Sequence, residues 1–364
     1  MKKVLLVGPD FGNKNSFFGG GVGGYTRNMA LYLREFSSKE YELVPFYHSV
    51  RKKNKLKVIS FPLRLFKDIF GFIKSIRSNN PDVVQFLAQY RKALPREFCW
   101  CLICIFLRIP YVYDIKAGKF KEENEDRLWH YLLTKFIIKN ATLILCQGKI
   151  YVEYIDEKFS KESFYFPNFI SLDELPPNRE KWFNGKAKIL FVGYCYEGKG
   201  VFELVEAVKK VSEETPVNLI MVGAEHPQFT KWMDIQKENK NFEIDRLGKI
   251  SHKKVLEIMQ ECDIYCYPSK HEGEGHNNTI NEAMMNEMII ISSKAGFLSD
   301  VLKNIGYFIS EIKPEDITRQ IERILSNKDE AISRAKKGRE KIENRYNATR
   351  LREHLYKLYD QKVF

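Results

Sequence analysis

Nothing in this chain of 364 residues is long and apolar enough to cross a bilayer as a helix, which takes about 18 or more apolar residues in succession. The longest apolar run, Phe98 to Leu107, is about half that length. The opening MKKVLLVGPDFG reads poorly as a secretory signal, because glycine and charge interrupt it too soon. Val4 to Val7 reads instead as a first buried strand. The seven cysteines are odd in number and sit mostly in apolar runs. That argues against a disulfide framework and for a reduced, cytosolic chain. Cys99, Cys101 and Cys104 lie close together with no histidine near them, so zinc is not expected there. Internal repeats and low-complexity segments are absent, and with them the solenoid and the disordered tether. No nucleic-acid recognition motif is recognisable.

The length points to two domains rather than one core. The formal net charge of +12 falls entirely on residues 1–172, while the remainder sums to zero. Such an asymmetry calls for a polyanionic partner, either a membrane surface or a nucleic acid, and the second has charge alone to support it. Residues 51–77 carry nine basic side chains and one acid. Within them Leu65, Phe66, Ile69, Phe70, Ile73 and Ile76 recur at helical spacing, which predicts an amphipathic helix over Leu63 to Ile76. A stripe of this kind packs into a core. With the basic run Arg51 to Lys57 beside it, it can also lie on an anionic bilayer.

Strands and helices alternate along both halves. Strands are expected at Val4 to Val7, Leu43 to Phe46, Asp82 to Phe86, Tyr111 to Ile115 and Thr142 to Cys146. Helices are expected from about Tyr25 to Phe36, Arg91 to Arg108 and Asp126 to Lys139. Pro176-Pro177 and the polar stretch to Lys186 mark a boundary. A second series begins with strands Lys188 to Val192, Asn218 to Val222 and Phe242 to Leu247. Gly19-x-Gly21-x-x-Gly24 satisfies the dinucleotide fingerprint in form, but about eleven residues separate it from the strand it should follow directly. Glycine-rich loops before helices cradle phosphates more generally.

The chemistry concentrates between Tyr265 and Ser293. Ile264 to Tyr267 is a strand, Pro268-Ser269 breaks it, a polar loop holds Gly273 and Gly275, and a helix begins near Thr279. A second strand follows at Met288 to Ile291. In such βαβ units ligands sit where strand ends meet helix starts. Glu274 stands in the loop and Glu282 in the first helical turn. A carboxylate accepts hydrogen bonds from two neighbouring hydroxyls, as a ribose or hexose edge presents them. A helix N-terminus beside it offers backbone N–H groups to a diphosphate. Thr279-x-x-Glu282 also fits a capping box, in which Glu282 would only close its own helix.

Pro268-Ser269, Glu274-Gly275 and Glu282-Ala283-Met284 resemble the Glu-x7-Glu signature of retaining glycosyltransferases of family 4. The resemblance implies that Glu274 contacts a donor sugar and that Glu282 binds the ribose of a nucleotide-sugar. Gly275, His276, Asn277, Asn278 and Thr279 would line the donor between them. Gly193, Tyr194 and Lys199 stand where the family grips the donor diphosphate. Lys199 matches the family's lysine, whereas Tyr194 replaces an arginine. Gly248 and Ile250 belong to a segment resembling the loop whose backbone reads the base. Gly23 and Gly24 are the best matches to the family's glycine loop, which faces the donor phosphates and the acceptor. Pro110 to Gly118 resembles the strand leading to the acceptor, where a histidine often stands. Asp114 takes roughly that place here and becomes the candidate catalytic group on the acceptor side.

By this resemblance the fold would be α/β of the GT-B type, two Rossmann-like αβα domains facing a cleft. Residues 1–172 would bind the acceptor and 173–346 the nucleotide-sugar, with a helix over 347–364 crossing back onto the first domain. The reaction would move a hexosyl unit from a UDP- or GDP-sugar to an acceptor hydroxyl. No Asp-x-Asp occurs, the motif with which metal-dependent GT-A enzymes hold their ion, so neither a metal nor another cofactor is expected. The expected partners are a nucleotide-sugar donor, a glycan or lipid-linked acceptor and an anionic membrane surface, but no nucleic acid. The expected location is cytoplasmic, peripheral on the inner face of the cytoplasmic membrane. Three rivals stand beside this reading: a nucleic-acid binder, suggested by charge alone, and two more. One is a nicotinamide-dependent dehydrogenase, resting on the glycine cluster alone. The other is a degenerate GT-B scaffold that binds glycan or lipid without turnover.

Overall fold

Short runs rich in Val, Ile and Leu make strands buried on both faces, and parallel strands need long crossovers, usually helical, to join them. The computed structural model describes residues 1–9, 21–48, 60–235 and 242–364. It holds two such alternating series in two units. Gly19 and the basic run Arg51 to Lys57 lie outside the described residues. Among the described residues no helix is long and apolar enough to cross a membrane.

The first unit takes the described residues of 1–9, Gly24–Asn168 and Ala348–Phe364. Its elements are β1 (Lys2–Pro9), α1 (Gly21–Glu35), β2 (Tyr41–His48), α2 (Ser60–Asn79), β3 (Val83–Ala88), α3 (Leu94–Phe106), β4 (Tyr111–Ile115), α4 (Phe120–Asp126), α5 (Leu128–Asn140), β5 (Leu143–Cys146), α6 (Lys149–Phe159) and β6 (Phe164–Tyr165). The strand order is β2-β1-β3-β4-β5-β6, every pairing parallel. The helix expected from Tyr25 starts earlier, at Gly21, and the one expected from Asp126 to Lys139 forms as α5, with extended backbone at Arg127 parting it from the separate helix α4 before it.

The helix predicted over Leu63 to Ile76 forms, but its buried line keeps only part of the predicted stripe. Asp68, Phe72 and Ile76 face inward, whereas Phe66 and Phe70 are exposed. Phe72 lies 5.5 Å from Trp100 of α3, which stacks on Phe86 of β3. Asp68 pairs with Arg96 at 3.0 Å. Gly71 also lies toward the sheet, where a Cβ would stand 3.4 Å from the Phe46 ring of β2.

The second unit takes Phe169–Asn347 among its described residues. Its elements are β7 (Ala187–Val192), α7 (Val201–Val211), β8 (Val217–Val222), α8 (Pro227–Met233), β9 (Phe242–Gly248), α9 (His252–Glu261), β10 (Ile264–Tyr267), α10 (Asn278–Met285), β11 (Ile289–Ser292), α11 (Leu298–Val301), β12 (Tyr307–Phe308), α12 (Pro314–Ser326) and α13 (Lys328–Arg345). The sheet order is β12-β11-β10-β7-β8-β9, again parallel throughout. Helix α7 packs on α12, and α10 on α13. The order reverses direction between β7 and β10, which pair in register at Ile189–Ile264 and Leu190–Tyr265.

The last helix, α14 (Ala348–Lys362), belongs to the first unit. Tyr41 donates to Asp360 at 2.6 Å, Arg352 donates to the Glu35 carbonyl at 2.9 Å, and Tyr359 donates to Gln85 in the middle of the sheet.

Candidate active site

In an open parallel sheet, the crossovers leaving two neighbouring strands diverge where the strand order reverses, and a crevice opens at the strands' carboxyl ends. In the second unit that point lies between β7 and β10. Beyond β7, the turn Glu197–Lys199 closes on Gly200, whose φ is +66°. A Cβ at Gly200 would lie 2.2 Å from the Pro268 carbonyl, so only glycine lets this turn press against the end of β10. The Lys270 amide donates to the Gly198 carbonyl at 3.0 Å and fastens the two loops together.

This contact brings Lys199 to Glu274. The lysine ammonium donates to the Tyr267 hydroxyl at 2.6 Å and forms an ion pair with Glu274 Oε1. Tyr267 in turn donates to Glu274 Oε1 at 3.2 Å, and Ser269 donates to the same oxygen at 2.6 Å. The backbone of Glu274 is fixed from behind. Its carbonyl accepts from the Phe297 amide at 3.1 Å, and Gly296, at φ +53°, passes so close that a Cβ would stand 1.9 Å from that carbonyl. Glu274, Ser269 and Tyr267 are buried, and Lys199 is half-buried. Burial first, and then the Glu274 charge, hold the Tyr267 phenol well above its ordinary range. The same two causes raise Tyr196.

Glu282 lies on α10, buried, with Nε2 of His252 at 3.2 Å from its Oε1. His252 opens α9, where Ser251 caps the helix by accepting from the Lys254 amide at 3.3 Å. The cap of α10 is Asn277, whose side chain accepts from the Thr279 amide at 2.9 Å. Thr279 therefore stands inside the helix, and the capping box that would have accounted for Glu282 is not formed. Thr279 Oγ1 instead meets the Tyr265 hydroxyl at 2.7 Å.

The other residues singled out in the sequence fall in three places. Gly193, Tyr194, Gly248, Gly275, Asn278 and Ile250 all lie at or beyond the carboxyl ends of β7, β9 or β10, and are half-buried. Tyr194, in the arginine's place, packs on Tyr196 with ring centres 5.4 Å apart and presents its ring edge-on to His226. Gly23 and Gly24 fall within the first turn of α1, where a helix leaves its N–H groups without internal partners. His276 does not line an open site. It is buried, with Nε2 2.7 Å from Asn281 Oδ1 and its ring against Tyr346, because the first turn of α10 folds it inward.

Asp114 is likewise no exposed base. It is 0 % exposed one residue short of the carboxyl end of β4, accepts from Tyr32 at 2.8 Å, lies 3.4 Å from Gln85 Nε2 and pairs with Lys116 at 3.2 Å. Burial pushes its carboxyl up and pushes the Lys116 ammonium down, each partly offset by the other's charge. Enclosed by these partners, it presents no open carboxylate in this structure.

Tyr267, Ser269, Tyr265 and His252 were not singled out as site residues. Tyr265 and Tyr267 are two apart on one strand and so share a face leading into the loop. That signal was legible beside Pro268-Ser269. His252 carried no local signal, because its approach to Glu282 depends on the packing of α9 against α10.

Residues 174–341 match the family described as glycosyl transferases group 1. A glycosyltransferase of Methanocaldococcus jannaschii, itself uncharacterized, is 23% identical over 57% of this chain and 56% of its own length. The GPI3 subunit of phosphatidylinositol N-acetylglucosaminyltransferase from Saccharomyces cerevisiae is 23% identical over 50% of this chain and 42% of its own. The chain thus spans about half the length of the curated relatives it matches. Sucrose-phosphate synthase from Thermosynechococcus elongatus superposes with a TM-score of 0.75 at 16% identity, covering 99% of both chains. The fold is GT-B. Anabaena HepE, seen in complex with UDP-glucose, shares it with a TM-score of 0.70 at 12% identity over 99% of this chain and 100% of that one. The family match covers nearly all of the second unit of this GT-B chain, including Lys199, Glu274 and Glu282. Together the two kinds of likeness support a GT-B glycosyltransferase.

Proposed function

We propose that this chain is a retaining glycosyltransferase of the family-4 kind. It moves a hexosyl unit from a UDP- or GDP-sugar to a hydroxyl of a lipid-linked or surface-polysaccharide glycan, at the inner face of the cytoplasmic membrane. One observation carries the reading: Lys199, Tyr267, Ser269 and Glu274 converge at the switch point of a sheet whose residues match a glycosyltransferase family. In the transfer, the bond from the anomeric carbon to the diphosphate breaks as the bond to the acceptor oxygen forms. The acceptor proton leaves with the diphosphate. Negative charge builds on the departing group, and a fixed ammonium in a water-poor site stabilises it strongly. Lys199 is that ammonium. Ser269, Tyr267 and Lys199 all hold Oε1 of Glu274, which leaves Oε2 to accept from the hexose hydroxyls. Glu282, beside His252, accepts from the ribose hydroxyls, and the N-terminus of α10 faces the diphosphate. No metal takes part in this scheme.

The HepE complex with UDP-glucose supports a nucleotide-sugar donor. A matched relative named for transfer to phosphatidylinositol supports a lipid-linked acceptor. The test is a thermal-shift panel of nucleoside diphosphates, nucleotide-sugars and nicotinamide cofactors, followed by product detection with and without EDTA. A ligand at about a hundred times its Kd stabilises its fold by about 2.7 kcal/mol. UDP or GDP and one of their sugars should raise the melting temperature, with turnover surviving EDTA. A panel in which no uridine or guanosine ligand shifts the protein overturns the reading. A shift without product leaves a donor-binding scaffold.

A further inference from the structure

We propose that the outer face of α2 and the adjoining end of α3 form a docking surface for an anionic lipid bilayer. The proposal deepens the lipid-linked acceptor of the preceding reading, but its test needs no catalysis. Failure of one is therefore distinguishable from failure of the other.

The surface begins with a pattern that the single-stripe reading of α2 did not separate. With Phe72 and Ile76 turned inward, a second apolar line runs down the opposite side at Leu63, Phe66, Phe70 and Ile73. Leu63 is 66% exposed, Phe66 63% and Phe70 71%. At its lower end this line joins a groove between α2 and α3 whose walls include Ile73, Arg77, Leu102, Phe106 and Leu107. Phe106, at the last position of α3, is 86% exposed. Single apolar side chains at a surface need no explanation, but a contiguous line of large ones marks an interaction site.

Charge names the partner. Lys67, Lys74 and Arg77 project beside the line and Arg108 beyond the end of α3, all exposed. The acids of the two helices, Asp68 and Glu97, are both turned into the core, Asp68 onto Arg96 and Glu97 onto Tyr113 and the Gln89 amide. The face is therefore uniformly cationic around an apolar strip. A second copy of this chain would bring like charges together. Lipid phosphates would meet the basic heads while the phenylalanines entered the boundary between headgroups and acyl chains. Long basic side chains suit this position, because their stems lie along the apolar strip and their heads reach outward.

The experiment sediments the full chain, without substrate, with vesicles of phosphatidylcholine alone or mixed with phosphatidylglycerol. Wild type should pellet with the anionic vesicles at low salt, be released at high salt and ignore the neutral ones. Phe66→Ser, Phe70→Ser and Phe106→Ser combined should weaken binding at least tenfold, as should Lys67→Ser, Lys74→Ser and Arg77→Ser combined. Melting temperatures are taken for both. If the phenylalanine variant folds poorly, the lysine and arginine variant, which alters exposed heads only, carries the test. Wild type that never pellets at low salt overturns the proposal, as does a basic-residue variant that pellets like wild type. So does a wild-type dimer, ignoring vesicles, that Phe66→Ser and Phe70→Ser convert to monomer.

Discussion

Asp114 with Lys116 in the first unit and Glu274 with Lys199 in the second are both acid–lysine pairs near strand ends, and they differ in almost everything else. Asp114 and Lys116 sit on and just beyond β4, wholly enclosed, with Tyr32, Gln85 and the Phe166 carbonyl completing the shell. Glu274 and Lys199 come from two loops beyond the strand ends, held together because Gly200 and Gly296 permit two backbone approaches that no other residue allows. A sealed pair has its charges neutralised by fixed neighbours and offers nothing to a ligand. A pair at a switch point keeps a cation and a carboxylate where a ligand can enter between them. Chemical identity is thus a poor guide to role: both pairs stand near strand carboxyl ends, and enclosure is what separates them.

Three substitutions test that contrast. The largest effect should come from Asp114→Ala. Removing one partner strands the Lys116 charge and costs about 3–5 kcal/mol, read as a fall in the urea midpoint, while the folded fraction keeps its rate. A variant that folds like wild type yet has lost turnover would return Asp114 to the chemistry. Next comes Lys199→Ala. Loss of one stabilising donor lowers turnover by about 10²–10³, or roughly 2.7–4 kcal/mol, with a much smaller change in melting temperature. Undiminished turnover there would remove Lys199 from the leaving-group role. The smallest is Tyr267→Phe, which deletes one hydrogen bond to Glu274 and one from Lys199 without altering ring packing. A drop of about 1.5 kcal/mol, roughly tenfold, is expected in kcat with donor KM little changed. Equal loss of stability and rate would mark Tyr267 as a packing residue.

Most of the architecture was legible because buried parallel strands are nearly continuous apolar runs. Ile264 to Tyr267 and Tyr111 to Ile115 fall where the residues predict. What escaped was set by contacts between distant segments. The inward phase of α2 is set by packing of Phe72 on Trp100 and of Asp68 on Arg96, both on α3, which the apolar pattern of the helix alone does not show. The burial of Asp114 follows from its mid-sheet position and from Tyr32 of α1, which no local pattern announces. At the candidate site the sequence placed Glu274, Lys199 and Glu282 individually. It did not disclose that a turn after β7 lays Lys199 on Glu274, or that His252, thirty positions from Glu282, would face it.

The return of α14 to the first unit has a consequence for synthesis. Tyr359 reaches Gln85 at the middle of a sheet whose last strand is finished by Tyr165. Between Asn168 and Ala348 the ribosome must add the whole second unit. At about 5–20 residues per second that takes on the order of ten to forty seconds. Through that interval the apolar bed of α14, including Tyr41 and the Phe36 end of α1, stays uncovered. The second unit, nearly all of which is the unbroken run Phe169–Asn347, can close first. The nascent protein should therefore complete its domains in the reverse of their order of appearance, and holdase chaperones should favour its amino-terminal half.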